Sequence, residues 1–74
     1  MDYFEWADEY YQNAGRIKSV IDKKNQQLKE NKSLTADGRK RLTDDIKQYR
    51  RIYYELRAIG DTLAARAEVG AVEA

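Results

Sequence analysis

The side chains that most often perform catalysis are missing from this 74-residue chain, which contains no histidine and no cysteine. The chain therefore lacks a proton carrier that titrates near neutral pH, a thiolate nucleophile and the usual zinc or iron ligand sets. Ser19 and Ser33 have no partner base at the spacing of a catalytic triad. The sequence predicts a protein that is not an enzyme, with no catalytic, cofactor-binding or metal-binding residues.

Two pairs of adjacent acids are the remaining candidates for acid–base chemistry, Asp8 with Glu9 and Asp44 with Asp45. Neighbouring residues in a helix point about 100° apart, so neither pair converges on one substrate atom. We interpret them as solvated surface acids. The one enzymatic alternative is a site assembled across subunits from Asp, Glu, Tyr and Lys side chains.

Basic and aromatic residues are interleaved in residues 48–54, which read QYRRIYY. Single-stranded nucleic acid can be held by rings that stack its bases beside a basic track. With bases from the first half of the chain, this segment suggests a nucleic-acid surface made of Arg16, Lys18, Lys23, Arg50, Arg51 and Arg57. The net charge of only +1 does not favour this hypothesis, and a solvated charged surface is the simpler interpretation.

Two runs of apolar residues determine how these side chains are positioned. Each run alternates spacings of three and four residues, which is typical of one face of an α-helix. The first run is Tyr3, Ala7, Tyr10, Ala14, Ile17, Ile21, Lys24 and Leu28. The second run is Leu42, Ile46, Tyr49, Tyr53, Leu56, Gly60, Leu63 and Ala67. Lys24 is the charged exception, and we expect its stem to lie on the stripe with its ammonium in water.

The two runs predict an all-α fold, a coiled-coil-like two-helix antiparallel hairpin that forms a single domain over residues 1–74. Facing residues in such a pair have numbers with a constant sum, which we place at about 70. Ala14 then faces Leu56 and Tyr10 faces Gly60, so that a small residue meets a large one.

Capping residues set the expected bounds of the first helix and the turn. Asp2 is a good N-cap, and the first helix should run over about 3–32. The turn should occupy about 33–36, with Thr35 as the N-cap of the second helix and Asp37 as its competitor.

The second helix should run over about 36–68, because no proline interrupts it. Gly70 is a plausible C-terminal cap, and we expect a frayed tail over 69–74. Gly15 lies inside the first helix, where it is either a tolerated weakness or a place where another helix comes close.

Large apolar residues beside the two runs widen each stripe beyond what one helix contact buries. They make a candidate oligomer interface of Phe4, Trp6, Tyr11, Val20, Ile52 and Ile59. The simplest way to bury them is a homodimer that closes a four-helix bundle. An unidentified protein partner on the same surface, or individually exposed apolar residues, are the alternatives.

No apolar run approaches the roughly 20 residues that cross a bilayer, so we expect no membrane partner. The first ten residues are acidic and do not look like a signal peptide. We therefore expect a cytoplasmic protein.

Two segments carry a resemblance to known proteins, Asp2–Ala7 (DYFEWA) and Ile52–Leu56 (IYYEL). Over most of residues 2–67 the chain resembles a class of small uncharacterised bacterial helical hairpins, often encoded in or near phage and integrated elements. The class carries no assigned activity, so the resemblance transfers no functional residue. We expect a non-enzymatic protein–protein interaction or accessory protein that acts as a homo-oligomer; the alternative is a small nucleic-acid-binding regulator.

Overall fold

The chain folds as an antiparallel hairpin of two long helices, as seen in a computed structural model that describes residues 2–73 and the side chains of residues 2–70. Helix α1 is Tyr3–Glu30 and helix α2 is Ala36–Glu73. The hairpin is 59 Å long and 16 × 14 Å in cross-section. The predicted all-α hairpin is confirmed.

Side-chain caps set both ends of α1. The Oδ1 atom of Asp2 accepts a hydrogen bond of 2.7 Å from the backbone N–H of Glu5, as expected of the N-cap. The helix ends at Glu30, earlier than the expected 32, because the backbone of Asn31 is extended. The Asn31 side-chain oxygen accepts from the N–H of Ser33, and this local turn competes with another helical turn.

Helix α2 begins directly after Thr35, whose Oγ1 accepts a hydrogen bond of 3.0 Å from the backbone N–H of Gly38. Thr35 rather than Asp37 is therefore the N-cap. Asp37 lies in the first turn, where its negative charge favours the helix dipole.

The far end of α2 differs from the expectation of a frayed tail over 69–74. The helix does not end near 68 but continues to Glu73, and Ala74 lies outside the described residues. Gly70 does not act as a left-handed cap, because no residue in the described range has a positive φ. The segment 64–73 contains four alanines and no proline, so its helix propensity carries α2 past the glycine.

The seam between the helices is lined by the two predicted runs. Its buried residues are Ala7, Ala14, Ile21, Ile46, Gly60, Leu63 and Ala67, and all of them belong to those runs. The other members are half-buried, except Tyr3, which is exposed and stacks on Trp6 with 6.2 Å between ring centroids. Small residues in the seam allow the two backbones to come close.

The observed register matches the expected one to within three positions, since contacts across the seam join residues whose numbers sum to between 69 and 73. The difference matters at Gly60, where Tyr11 rather than Tyr10 provides the covering ring. A Cβ atom added at Gly60 would lie 2.9 Å from Cε1 of Tyr11. Gly60 is therefore a place where the seam leaves no room for a side chain.

Lys24 interrupts the apolar run. The sequence had suggested that its ammonium lies in water, but the ammonium lies beside Asp45 and Tyr49 on α2 instead. Its Nζ lies 3.7 Å from Oδ2 of Asp45 and 5.5 Å from the ring centroid of Tyr49. The lysine thus crosses to α2 and closes one edge of the seam with a carboxylate and an aromatic face.

Two alanine substitutions separate the helical cost of glycine from its packing role. Gly15→Ala should raise the free energy of unfolding by about 1 kcal/mol, because alanine favours helix and nothing lies within 4 Å of the added Cβ. Gly60→Ala should lower it, because the new methyl group displaces the Tyr11 ring. Urea unfolding at one protein concentration compares them; equal stabilisation by both would contradict the close contact at Gly60.

Candidate interaction site

Two contacts between the helices mark opposite faces of the hairpin: Tyr11 with Asp61 on one side, and Lys24 with Asp45 on the other. Positions that flank a helix–helix seam recur every seven residues along each helix. The first side, the Tyr11 face, comprises Phe4, Tyr11, Lys18, Arg50, Arg57, Asp61 and Ala64. The second side, the Trp6 face, comprises Trp6, Asn13, Val20, Gln27, Asp45, Ile52, Ile59 and Arg66.

The Trp6 face holds four of the six residues expected at an oligomer interface. Trp6, Ile52 and Ile59 are 43%, 42% and 43% exposed, and Val20 is half-buried. Each of these side chains is thus partly buried in the hairpin and partly exposed to water. Because the helices are antiparallel, Val20 lies level with Ile52, and Ile59 and Trp6 follow towards the termini, so the four residues share one side of the hairpin.

The Tyr11 face receives the other two expected interface residues, and they behave differently. Tyr11 packs within the hairpin, with its ring against Gly60 and its hydroxyl donating a hydrogen bond to Asp61. Phe4 is 53% exposed. The structure therefore divides the expected interface between two faces, and only the Trp6 face keeps a cluster of exposed apolar side chains.

Asp61 was missed in the sequence because an acid next to a glycine looks like ordinary helix surface. Its hydrogen bond raises the pKa of the Tyr11 phenol, since a carboxylate acceptor favours the protonated form; the nearby Asp61 charge acts in the same direction. The useful signal was the register, which places position 61 close to position 11 across the seam.

A shallow groove on the Tyr11 face brings two cations beside aromatic rings. Lys18 and Arg57 line it together with Gly15, whose missing side chain keeps it open, and Tyr53. Arg57 Nη1 donates a hydrogen bond of 3.1 Å to the Tyr53 hydroxyl, and the guanidinium carbon lies 5.8 Å from the ring centroid. The hydrogen bond raises the pKa of Arg57, which therefore stays charged.

The six bases of the expected nucleic-acid surface are not brought together. Lys18, Arg50 and Arg57 lie on the Tyr11 face. Arg16 and Lys23 follow the outer edge of the Trp6 face on α1, because each lies three residues before or after a member of that face. Arg51 points away from both faces, and its Nε lies 3.4 Å from Oε1 of Glu55.

Other kinds of site are not found in the part of the chain that the structure describes. No three carboxylates there come together as a group that could hold a metal ion. Neither helix has a stretch long and apolar enough to cross a membrane. Comparison with protein-family models, curated proteins and solved structures finds no match. The function has to be argued from the two faces themselves.

The Tyr11–Asp61 hydrogen bond makes the stability depend on pH in the alkaline range. The pKa of Tyr11 is raised in the folded state, so the contribution is fully present below the unfolded value of about 10 and is lost as pH rises through the folded pKa. Tyr11→Phe should unfold at lower urea concentration than the wild type at pH 7, and this difference should be smaller at pH 12.

The matched control is Tyr54→Phe, because Tyr54 is 66% exposed. This variant should unfold like the wild type at both pH values. A difference between Tyr11→Phe and the wild type that persists unchanged at pH 12 would contradict the hydrogen bond to Asp61.

Proposed function

We propose that this chain is a non-enzymatic protein–protein interaction or accessory protein that acts as a homodimer, closed through the Trp6 face. The observation that carries the proposal is the cluster of Trp6, Val20, Ile52 and Ile59 on one face, with its three largest members more than two-fifths exposed. Contiguous apolar patches of this kind usually mark an interface.

The energetics of a lone hairpin support association. A pair of helices forms only one packed layer, and domains normally bury their apolar faces between two layers. Burying a large apolar side chain contributes about 1.5–3 kcal/mol, and a two-fold contact uses every residue of the face twice. A four-helix bundle therefore adds stability comparable to that of a whole small domain.

Closing the Trp6 face leaves the Tyr11 face as the working surface of the dimer. This surface carries an exposed aromatic ring at Phe4 and the cationic groove at Lys18 and Arg57. A second protein that offers an apolar anchor and acidic side chains would fit these features. In this view the hairpin is a small scaffold that presents two copies of one surface.

A second candidate function is binding of single-stranded nucleic acid in the same groove. The favouring observation is that Lys18 and Arg57 share the groove with the half-buried ring of Tyr53. Phosphate would pair with the cations while a base stacks on an aromatic face. Arg50 lies on the same face but does not line the groove, and Arg16, Lys23 and Arg51 lie on other parts of the hairpin surface. The contact with nucleic acid would therefore be short.

The homodimer is tested by removing two apolar side chains from the Trp6 face. Light scattering during gel filtration should give the wild type a mass near twice 8.7 kDa. Trp6→Gln with Ile59→Gln should shift the mass to that of one chain at micromolar concentration, because the apolar patch is lost from both copies. An unchanged dimer in this variant would contradict the assignment of the face.

The control changes two exposed aromatic side chains outside the Trp6 face, Phe4→Gln with Tyr54→Gln. This variant should stay dimeric. If it dissociates instead while the Trp6 variant does not, the interface lies on the opposite side of the hairpin.

The nucleic-acid hypothesis predicts binding that depends strongly on salt. Gel shifts with single-stranded RNA and DNA at about 50 mM salt should show binding that weakens steeply towards about 200 mM. Lys18→Glu with Arg57→Glu should abolish it, whereas Lys32→Glu with Lys40→Glu, an equal charge change near the turn, should retain most of it. No shift by micromolar wild-type protein, or equal loss in both variants, would remove this function.

A further inference from the structure

We infer that the two copies pair antiparallel across the Trp6 face, with Asn13 and Ile59 near the two-fold axis and the turn ends pointing in opposite directions. This inference rests on the proposed homodimer and adds its geometry. The occupant of the Trp6 face is then a second copy of this chain, packed face to face and running in the opposite direction.

Charge is distributed asymmetrically along the hairpin. Residues 16–56, which make up the half with the turn, contain twelve bases and six acids. Residues 1–15 and 57–74, which make up the half with both termini, contain two bases and seven acids. Antiparallel pairing puts the acidic half of each copy against the basic half of the other, whereas parallel pairing puts like charges together.

The spacing of apolar residues along α1 also favours antiparallel pairing. Trp6, Asn13 and Val20 follow one another at intervals of seven residues. If two α1 helices run antiparallel with Asn13 at the centre, each Trp6 meets the partner's Val20, and the polar residue meets itself. A lone amide pair at the axis of an apolar contact is a known way of setting register and orientation.

Helix α2 follows the same axis, with Arg66 opposite the partner's Ile52, where its methylene stem can pack while its guanidinium reaches water. Ile59 lies nearly level with Asn13 in the hairpin register, so it too would meet its own copy near the axis. The polar members of the face farthest from the axis are Gln27 and Asp45. Both lie towards the turn, where the overlap of the two copies ends and water is available.

The charge pattern beside the apolar positions of α1 favours the same orientation. Asp2, Glu9, Arg16 and Lys23 also recur every seven residues along the outer edge of the Trp6 face. With the axis at Asn13, Glu9 lies near the partner's Arg16 and Asp2 lies near the partner's Lys23. The edge thus changes sign at the point where an antiparallel pair requires it.

Parallel pairing loses the charge complementarity of the same surface and separates the two Asn13 side chains. The termini of the two copies would lie together, and α1 of one copy would pack on α2 of the other. Asn13 would then face the partner's Ile59, which buries an amide against an aliphatic side chain twice per dimer. Seven acids from each copy would gather at one end.

Disulfide formation distinguishes the two arrangements, and the chain has no cysteine of its own. Asn13→Cys should form a covalent dimer under mild oxidation if the α1 helices are antiparallel neighbours. In the parallel arrangement the two copies of position 13 lie diagonally across the bundle, out of disulfide reach. Tyr54→Cys, exposed and outside the Trp6 face, is the control and should stay uncrosslinked in dilute solution.

Charge reversal gives an independent readout that requires no oxidation. Glu9→Arg should weaken dimerisation at least threefold by sedimentation equilibrium, because it opposes the partner's Arg16 with a like charge. Adding Arg16→Glu should restore the affinity, because the pair is then exchanged. Raising salt from 50 to 500 mM should weaken the wild-type dimer, whereas a parallel dimer would tighten.

The outcomes separate this inference from the proposed function. A covalent Asn13→Cys dimer together with rescue in the double charge variant supports antiparallel pairing. A dimer by light scattering that shows neither result overturns the orientation and leaves the homodimer standing. A wild-type mass of one chain overturns both.

Discussion

The whole structure depends on a seam that is narrow because its outer layers contain small residues. Ala7, Ala14, Gly60 and Ala67 are buried there, and they allow two backbones to come close along a hairpin 59 Å long. Close approach has a consequence for the neighbouring positions. A narrow seam covers only the central stripe of each helix, so larger side chains on its two edges stay partly in water. The surfaces available for function follow from this geometry.

The two edges of the seam differ in how far contacts within the hairpin cover their larger side chains. On one edge the hairpin closes over itself, with the Tyr11 ring on Gly60, its hydroxyl bonded to Asp61 and the Arg57 guanidinium bonded to the Tyr53 hydroxyl. On the other edge Lys24 reaches Asp45, but Trp6, Ile52 and Ile59 have no comparable cover. The first edge is closed by contacts within the hairpin and carries a cationic groove, and the second edge keeps large apolar side chains that are more than two-fifths exposed.

Charge and apolar patterning act together in the proposal of an antiparallel homodimer. The apolar side chains provide the free energy of association, which is not directional. The long-range charge asymmetry of the hairpin, together with Asn13 between Trp6 and Val20, selects one orientation from those that the apolar contact alone would permit. A chain with a net charge of +1 can therefore have strongly directional electrostatics.

Much of this fold was predictable from the sequence, because local rules determine it. The spacing of three and four residues defined both stripes, Asp2 and Thr35 had the side chains that cap helices, and alternating small and large residues indicated the register. The end of α2 was less predictable. Gly70 resembles a stop signal, yet a glycine ends a helix only when its backbone turns left-handed, and here it does not.

The sequence alone determined that there are two helices, where each begins and which stripe each one buries. Only the tertiary structure decided how the remaining apolar residues are divided, with Trp6 and Ile59 on an open face and the half-buried Tyr11 ring packed against Gly60. The physical reason is that consecutive residues of a helix point about 100° apart. A register difference of one residue, too small to alter the stripe, therefore decides whether Tyr10 or Tyr11 covers Gly60.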